Sequence, residues 1–137
     1  MKLDSSAFVG DKALIEALER RSSPITCQED RVLFKQGESA TGLYILRAGV
    51  GRVLMTSPAG DKVMSVPIIA GSLLGLPALL GNQPYSLTAM VFKGAELRHV
   101  TREDFSFLML NEPALSMSVL RVLAAEVRTA RLAISPN

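Results

Sequence analysis

This chain predicts a mainly β fold with helices at both ends, an antiparallel sandwich or barrel, and three observations carry that prediction. Between Ile25 and Val100, short runs rich in β-branched and apolar residues recur about every ten residues, separated by glycine or proline. Before Pro24 and after Val100 the apolar residues switch to helical spacing. At 137 residues, with 48% hydrophobic and 20% charged side chains, the chain is a single domain able to bury a continuous core.

The elements follow in order. A helix is expected within residues 1–22: Asp4, Ser5 or Ser6 offers a cap, and Leu14, Ile15 and Leu18 recur beside Glu16, Glu19, Arg20 and Arg21. Ser22, Ser23 and Pro24 end it. Residues 23–100 carry candidate strands at Ile25 to Gln28, Val32 to Phe34, Leu43 to Leu46, Val50 to Thr56, Val63 to Ile68, Ser86 to Phe92 and Ala95 to Val100. The clearest hairpin spans Ser57 to Lys62, where Pro58 and Gly60 supply turn geometry.

Residues 101–134 return to helical spacing. Thr101 is the expected N-cap, with Glu103 and Asp104 in the first turn, where a helix start favours negative charge. Phe105, Leu108 and Met109 are expected to face the barrel. Pro113 then opens a helix that runs to about Ala133 without an internal glycine or proline. Leu115, Val119, Val122, Leu123, Val127 and Ala130, with Leu120 and Leu132 beside them, form a stripe wider than one contact surface requires. The expectation is that one side packs on its own domain and the other on a second copy, a homodimer through the helix Pro113 to Ala133; the alternative is that the whole stripe packs within the monomer.

Composition excludes several function classes. No apolar run approaches the roughly 18 residues of a membrane span, and MKLDSSAFVG lacks an apolar signal core, so the expectation is a cytoplasmic protein with no membrane contact. Cys27 is the only cysteine and reads as a small core hydrophobe. Fifteen basic against thirteen acidic residues leave a net charge of +2, too small to argue for nucleic acid. His99 is the only histidine, so no His-based metal centre or Ser-His relay can be assembled, and it reads as a strand residue with a satisfied ring. Arg121, Arg128 and Arg131 line the last helix, placed to pair with Glu126 or face water.

Two stretches carry the chemistry. In LFKQGESATGLYILRAG, Leu33 to Gly49, Gly37 and Gly42 flank a polar turn and read as a tight reversal between strands. In GSLLGLPALLGNQPYSLTAMV, Gly71 to Val91, an apolar run, a glycine, a short helical turn and a polar loop lead into a strand. With these residues the chain resembles the cyclic-nucleotide-binding domain family, which includes the sensor domains of catabolite-activator-type transcription regulators. The first stretch departs from the family signature only at Phe34, where Val, Ile or Cys is usual. The resemblance covers nearly the whole chain. It implies a double-stranded β-helix jelly roll with a leading helix and two closing helices, and a regulatory role rather than an enzymatic one.

In binding members of that family, a glycine-glutamate pair opens a short helix whose amides hold the cyclic phosphate. The glutamate takes the ribose hydroxyl, and an arginine after the loop pairs with the phosphate. The physics is that of a helix start with unpaired N–H groups and a forked guanidinium matched to phosphate oxygens. Carried onto this chain, the ligand-binding positions are Gly75, Leu76, Pro77, Ala78, Tyr85, Ser86 and Leu87, and by rough helix register Arg128, Ala130 and Arg131. Gly75 and Ala78 keep the pattern. Leu76 stands at the glutamate position, Tyr85 at the arginine position, and Pro77 removes one N–H. Each lost charge-assisted contact costs about 1.5–3 kcal/mol, which together removes several powers of ten in affinity. The expectation is weak or no affinity for cAMP and cGMP, with no metal and no obligate cofactor. Three alternatives stay open for the cassette: a less polar ligand, filling by the protein's own side chains with Tyr85 foremost, or plain barrel core. A ligand-free interaction and dimerisation domain is the rival function. Nothing in the sequence places a recognition helix in a DNA groove, so no direct nucleic-acid contact is expected. A stand-alone sensor and the sensor half of a longer regulator are both consistent with this.

Overall fold

Two four-stranded antiparallel sheets make the body of the domain, in the order β1-β8-β3-β6 and β2-β7-β4-β5. The structure, a computed structural model, describes residues 5–134, with side chains through residue 131. The strands are β1 (Ser23–Thr26), β2 (Arg31–Phe34), β3 (Gly42–Ala48), β4 (Gly51–Thr56), β5 (Lys62–Ile68), β6 (Leu73–Leu74), β7 (Thr88–Val91) and β8 (Glu96–Thr101). Around them lie α1 (Lys12–Glu19), α2 (Leu76–Gly81), α3 (Arg102–Asn111) and α4 (Ser116–Ile134), the last preceded by a 3₁₀ turn at Pro113–Leu115. This is the mainly β, helix-flanked jelly roll that the strand spacing and the resemblance imply.

Side chains from both sheets fill the space between them. Leu43, Ile45 and Leu46 on β3, Val53 on β4, Val66 on β5, Leu73 and Leu74 on β6 and Leu97 on β8 are all buried. Along β5 the alternation is clean, Met64, Val66 and Ile68 inward and their neighbours more exposed, as a half-buried strand requires. Cys27 is buried in the same core, a small hydrophobe as expected. The β4–β5 hairpin turns at Ser57 to Asp61, where Gly60 takes a positive φ of 92°.

Several local expectations need correction. The first helix begins at Lys12, not near Ser5 or Ser6, because the Asp11 carboxylate accepts the Leu14 N–H at 2.9 Å. Ser5 and Ser6 lie in a preceding turn, and Asp4 lies outside the described residues. Ser23 and Pro24 do not close the helix but open β1, whose register pairs them with His99 and Arg98. The strand β6 went unforeseen, hidden in the apolar run before Gly75; its two residues pair with Tyr44 and Ile45. Gly42 is not part of a reversal. It starts β3 opposite Thr101, and a Cβ there would stand 2.6 Å from His99 Nε2. His99 itself has no satisfied ring: its Nε2 is buried without a hydrogen-bond partner, and burial lowers the imidazole pKa, which favours the neutral ring.

The closing helices match their sequence signals more closely. Thr101 caps α3 by accepting the Asp104 N–H at 3.1 Å, and Phe105 and Leu108 are buried beneath it, with Met109 partly so. On α4, Val119 and Val122 are buried, Leu123 and Ala130 pack against the core together with Leu115 of the preceding turn, and Leu120 and Val127 are exposed. The broad stripe thus has two sides. No single helix among the described residues is long and apolar enough to cross a membrane.

Candidate functional site

The cassette is built where the chain leaves β6. Gly75 takes φ 99° and precedes α2, a six-residue helix with Pro77 near its start and no side-chain cap. Only glycine adopts that φ without strain, and space is also short: a Cβ on Gly75 would meet Tyr85 Cε1 at 3.0 Å and the Gly42 carbonyl oxygen at 3.2 Å. Asn82 ends α2 in the left-handed region at φ 51°, a conformation its short polar side chain tolerates. Arg102 pins this end by donating to Asn82 Oδ1 at 3.1 Å and to the Ala40 carbonyl at 2.6 Å. The loop then returns Tyr85 to the sheet, with its N–H donating to the Glu38 carbonyl and its own carbonyl accepting from the Gly37 N–H.

Tyr85 therefore points inward. Its side chain is 4% exposed and its ring stacks on Phe34 with centroids 3.8 Å apart and planes 13° from parallel. Its hydroxyl donates to the Gly42 carbonyl at 2.7 Å and accepts from the Thr41 and Gly42 amides at 3.2 and 3.3 Å. Every hydrogen-bonding capacity of the phenol is thus used inside the protein. Leu76 is fully buried. The void left beside Gly75, Tyr85 and Phe34 is about 10 Å³, at the lower limit of what one water molecule needs.

Of the other sequence-predicted site residues, Pro77, Ser86 and Leu87 border the small void and also, with Ala130, a second space on its outer side. This second space is a cleft of about 170 Å³ between the barrel and α4. Ala78 is buried within α2 and borders only the small void. Arg128 and Arg131 are exposed on α4 and do not line either space. Neither of these arginines reaches the space beside Tyr85.

Glu126 was foreseen only as a surface partner for the α4 arginines, and the structure corrects that. Arg121 turns to Asp11 at 3.9 Å instead. The Ser118 hydroxyl and then the Leu14 N–H hold the Asp11 carboxyl below the usual carboxylate range, with Arg121 adding to them. Glu126 faces the cleft, where burial pushes its carboxyl up to about 8 from an ordinary 4.5. Its place had a signal in the sequence: 119, 122 and 126 share one helix face, and the first two are buried valines. Phe34 and Gly42 were also missed as parts of the site, since their roles depend on where Tyr85 folds back.

Comparison with known proteins agrees with this architecture. The family model of the cyclic nucleotide-binding domain matches residues 24–112. The fumarate and nitrate reduction regulatory protein of Vibrio cholerae is 28% identical over 119 residues, covering 83% of this chain and 44% of that protein. The cyclic AMP receptor protein of Thermus thermophilus is 27% identical over 104 residues, covering 76% of this chain and 48% of that protein. This chain thus spans about half the length of these curated relatives. Among solved structures, the Thermus thermophilus catabolite activator protein superposes with a TM-score of 0.75 at 24% identity, over 93% of this chain and 61% of its own. The sensor domain of the transcriptional regulator DNR from Pseudomonas aeruginosa gives 0.65 at 16% identity, over 93% and 85%.

Proposed function

The chain belongs to the cyclic nucleotide-binding domain family, and on that footing we propose that it works as a dimeric sensor module whose cassette no longer takes a cyclic phosphate. It is a regulatory domain and not an enzyme. The observation that carries the proposal is Tyr85, which fills the space beside Gly75 and satisfies its own hydroxyl against Gly42 and Thr41. A phosphate entering there would have to displace a buried stacked ring and would meet Leu76 in place of a carboxylate. Calorimetric titration with cAMP and cGMP is expected to show no binding at micromolar concentrations. Low-micromolar binding of either nucleotide would sink the proposal.

Dimerisation is supported by what α4 leaves uncovered. Met117, Leu120 and Val127 are 57%, 55% and 56% exposed, and with Ala124 they follow the three-then-four spacing of a coiled-coil seam. The buried Val119 and Val122 lie on the opposite side of the helix, so one surface holds the domain and the other is free for a second copy. Sedimentation at micromolar concentration should give a dimer, and Leu120→Glu should give a monomer with unchanged secondary structure. A monomeric parent chain removes this part of the proposal. The nearly closed cassette also favours a second reading, an assembly module that needs no ligand; thermal shifts against small molecules separate the two, because a ligand of the native state stabilises by mass action.

A further inference from the structure

The space that the cassette lacks reappears as the cleft under α4. Its walls are mostly apolar, contributed by Phe8, Met55, Met64, Leu87 and Leu123, with the Ser86 hydroxyl and a single carboxyl group, Glu126, set among them. Glu126 is partly buried and makes no ion pair or hydrogen bond to any described residue, so no protein partner offsets the desolvation it undergoes. The other titratable group bordering this region among the described residues is the Tyr85 phenol, already engaged with Gly42. A volume of about 170 Å³ matches the size at which apolar cavities admit a benzene-sized molecule. A largely apolar, half-open cleft of that size with one unpaired acid is complementary to a small molecule that is hydrocarbon at one end and cationic at the other.

We infer that the cleft takes a small amphiphilic amine, its hydrocarbon part against Met55, Met64 and Leu87 and its ammonium paired with Glu126. This rests on the sensor reading and names the ligand class for it. In the free protein at neutral pH the carboxyl holds its proton; the incoming ammonium favours the carboxylate, so that proton passes to solvent as the ion pair forms. Val127 lies both on the lip of the cleft and on the exposed seam of α4, so an occupant would touch the surface offered to a second copy.

The test uses 2-phenylethylamine and its uncharged counterpart 2-phenylethanol, at millimolar concentration, on the whole chain. The amine is expected to raise the melting temperature and bind about ten- to a hundred-fold more tightly than the alcohol, with the preference lost in Glu126→Gln. Calorimetry at pH 7 in two buffers of different ionisation enthalpy should show proton release on amine binding. Equal binding of both compounds, unchanged amine affinity in Glu126→Gln, or binding of neither overturns the inference. Should the variant fail to fold, the amine–alcohol comparison and the proton release on the parent chain decide. A parallel cAMP titration keeps the failures apart: tight nucleotide binding overturns the sensor reading, whereas absent amine binding overturns only the ligand class.

Discussion

The cassette beside Gly75 and the cleft under α4 lie side by side and share Phe8, Pro77, Ser86, Leu87 and Glu126 as walls, yet Tyr85 borders only the first and the open volume lies only in the second. In the cassette a neutral aromatic side chain brings its own partners, and the space closes to about 10 Å³. In the cleft a charged-type side chain arrives without a partner, and about 170 Å³ stays open. A buried phenol can spend its donor and acceptor on nearby backbone, whereas a buried carboxylate needs several donors or a cation. The difference between two neighbouring pockets thus reduces to whether the polar group on the wall was given its counterpart within the fold.

The sharpest way to break the comparison is to empty the closed pocket. Tyr85→Ala removes a ring that is almost wholly buried and stacked on Phe34, and leaves the Gly42 carbonyl without its donor. Loss of a buried aromatic costs about 3–5 kcal/mol. Thermal unfolding should therefore show the midpoint lowered by roughly 10 °C or more. A drop of only a degree or two would mean that the ring is not what holds the cassette shut.

How much of this was legible beforehand follows the same division. The strands, the cap at Thr101 and the buried Cys27 are local signals, written in spacing and residue type. Features made by distant segments were not legible. Gly42 looks like a turn glycine until β8 places His99 and Val100 against it. The strand β6 is two residues inside an apolar run, and only pairing with β3 distinguishes it. The cap fell on Asp11, whose carboxylate is also held by Ser118, more than a hundred residues further on, a contact that residue type alone does not reveal. Glu126 was half legible. Its face was readable from Val119 and Val122, but its lack of a partner was not, since three arginines on the same helix suggested one.

The open pocket can be challenged through pH. The folded carboxyl of Glu126 is pushed up to about 8 against an ordinary 4.5, so between those values the folded state holds a proton that the unfolded chain releases. Stability contributed by this group is fully present below about pH 4.5, falls as pH rises toward 8, and is flat above. The gap sets a ceiling of about 5 kcal/mol, and local opening of α4 that wets the carboxyl lowers the observed value. His99 works in the opposite sense, losing stability as pH falls below its ordinary 6.5, and Asp11 only near or below its ordinary 3.8. Subtracting the profile of Glu126→Gln from that of the parent cancels both. The difference should be near zero at pH 4.5 and should grow in favour of the variant toward pH 8. A flat difference would show that Glu126 finds a donor or water when ionised, and the cleft would then be no less satisfied than the cassette.

The smallest expected effect separates the two components of the closed pocket. Tyr85→Phe keeps the stack on Phe34 and removes only the hydroxyl, which bridges the Gly42 carbonyl and the Thr41 and Gly42 amides. Thr41 is exposed and its amide can turn to water, while Gly42 is buried and its carbonyl loses a donor that water does not readily replace. The cost should be about 1 kcal/mol, read in denaturant titrations as a lower midpoint with an unchanged slope. If Tyr85→Phe costs as much as Tyr85→Ala, the hydroxyl bridge closes the cassette and the ring is incidental. If it costs nothing, packing alone closes it, and self-satisfaction of the polar group is not what distinguishes the cassette from the cleft.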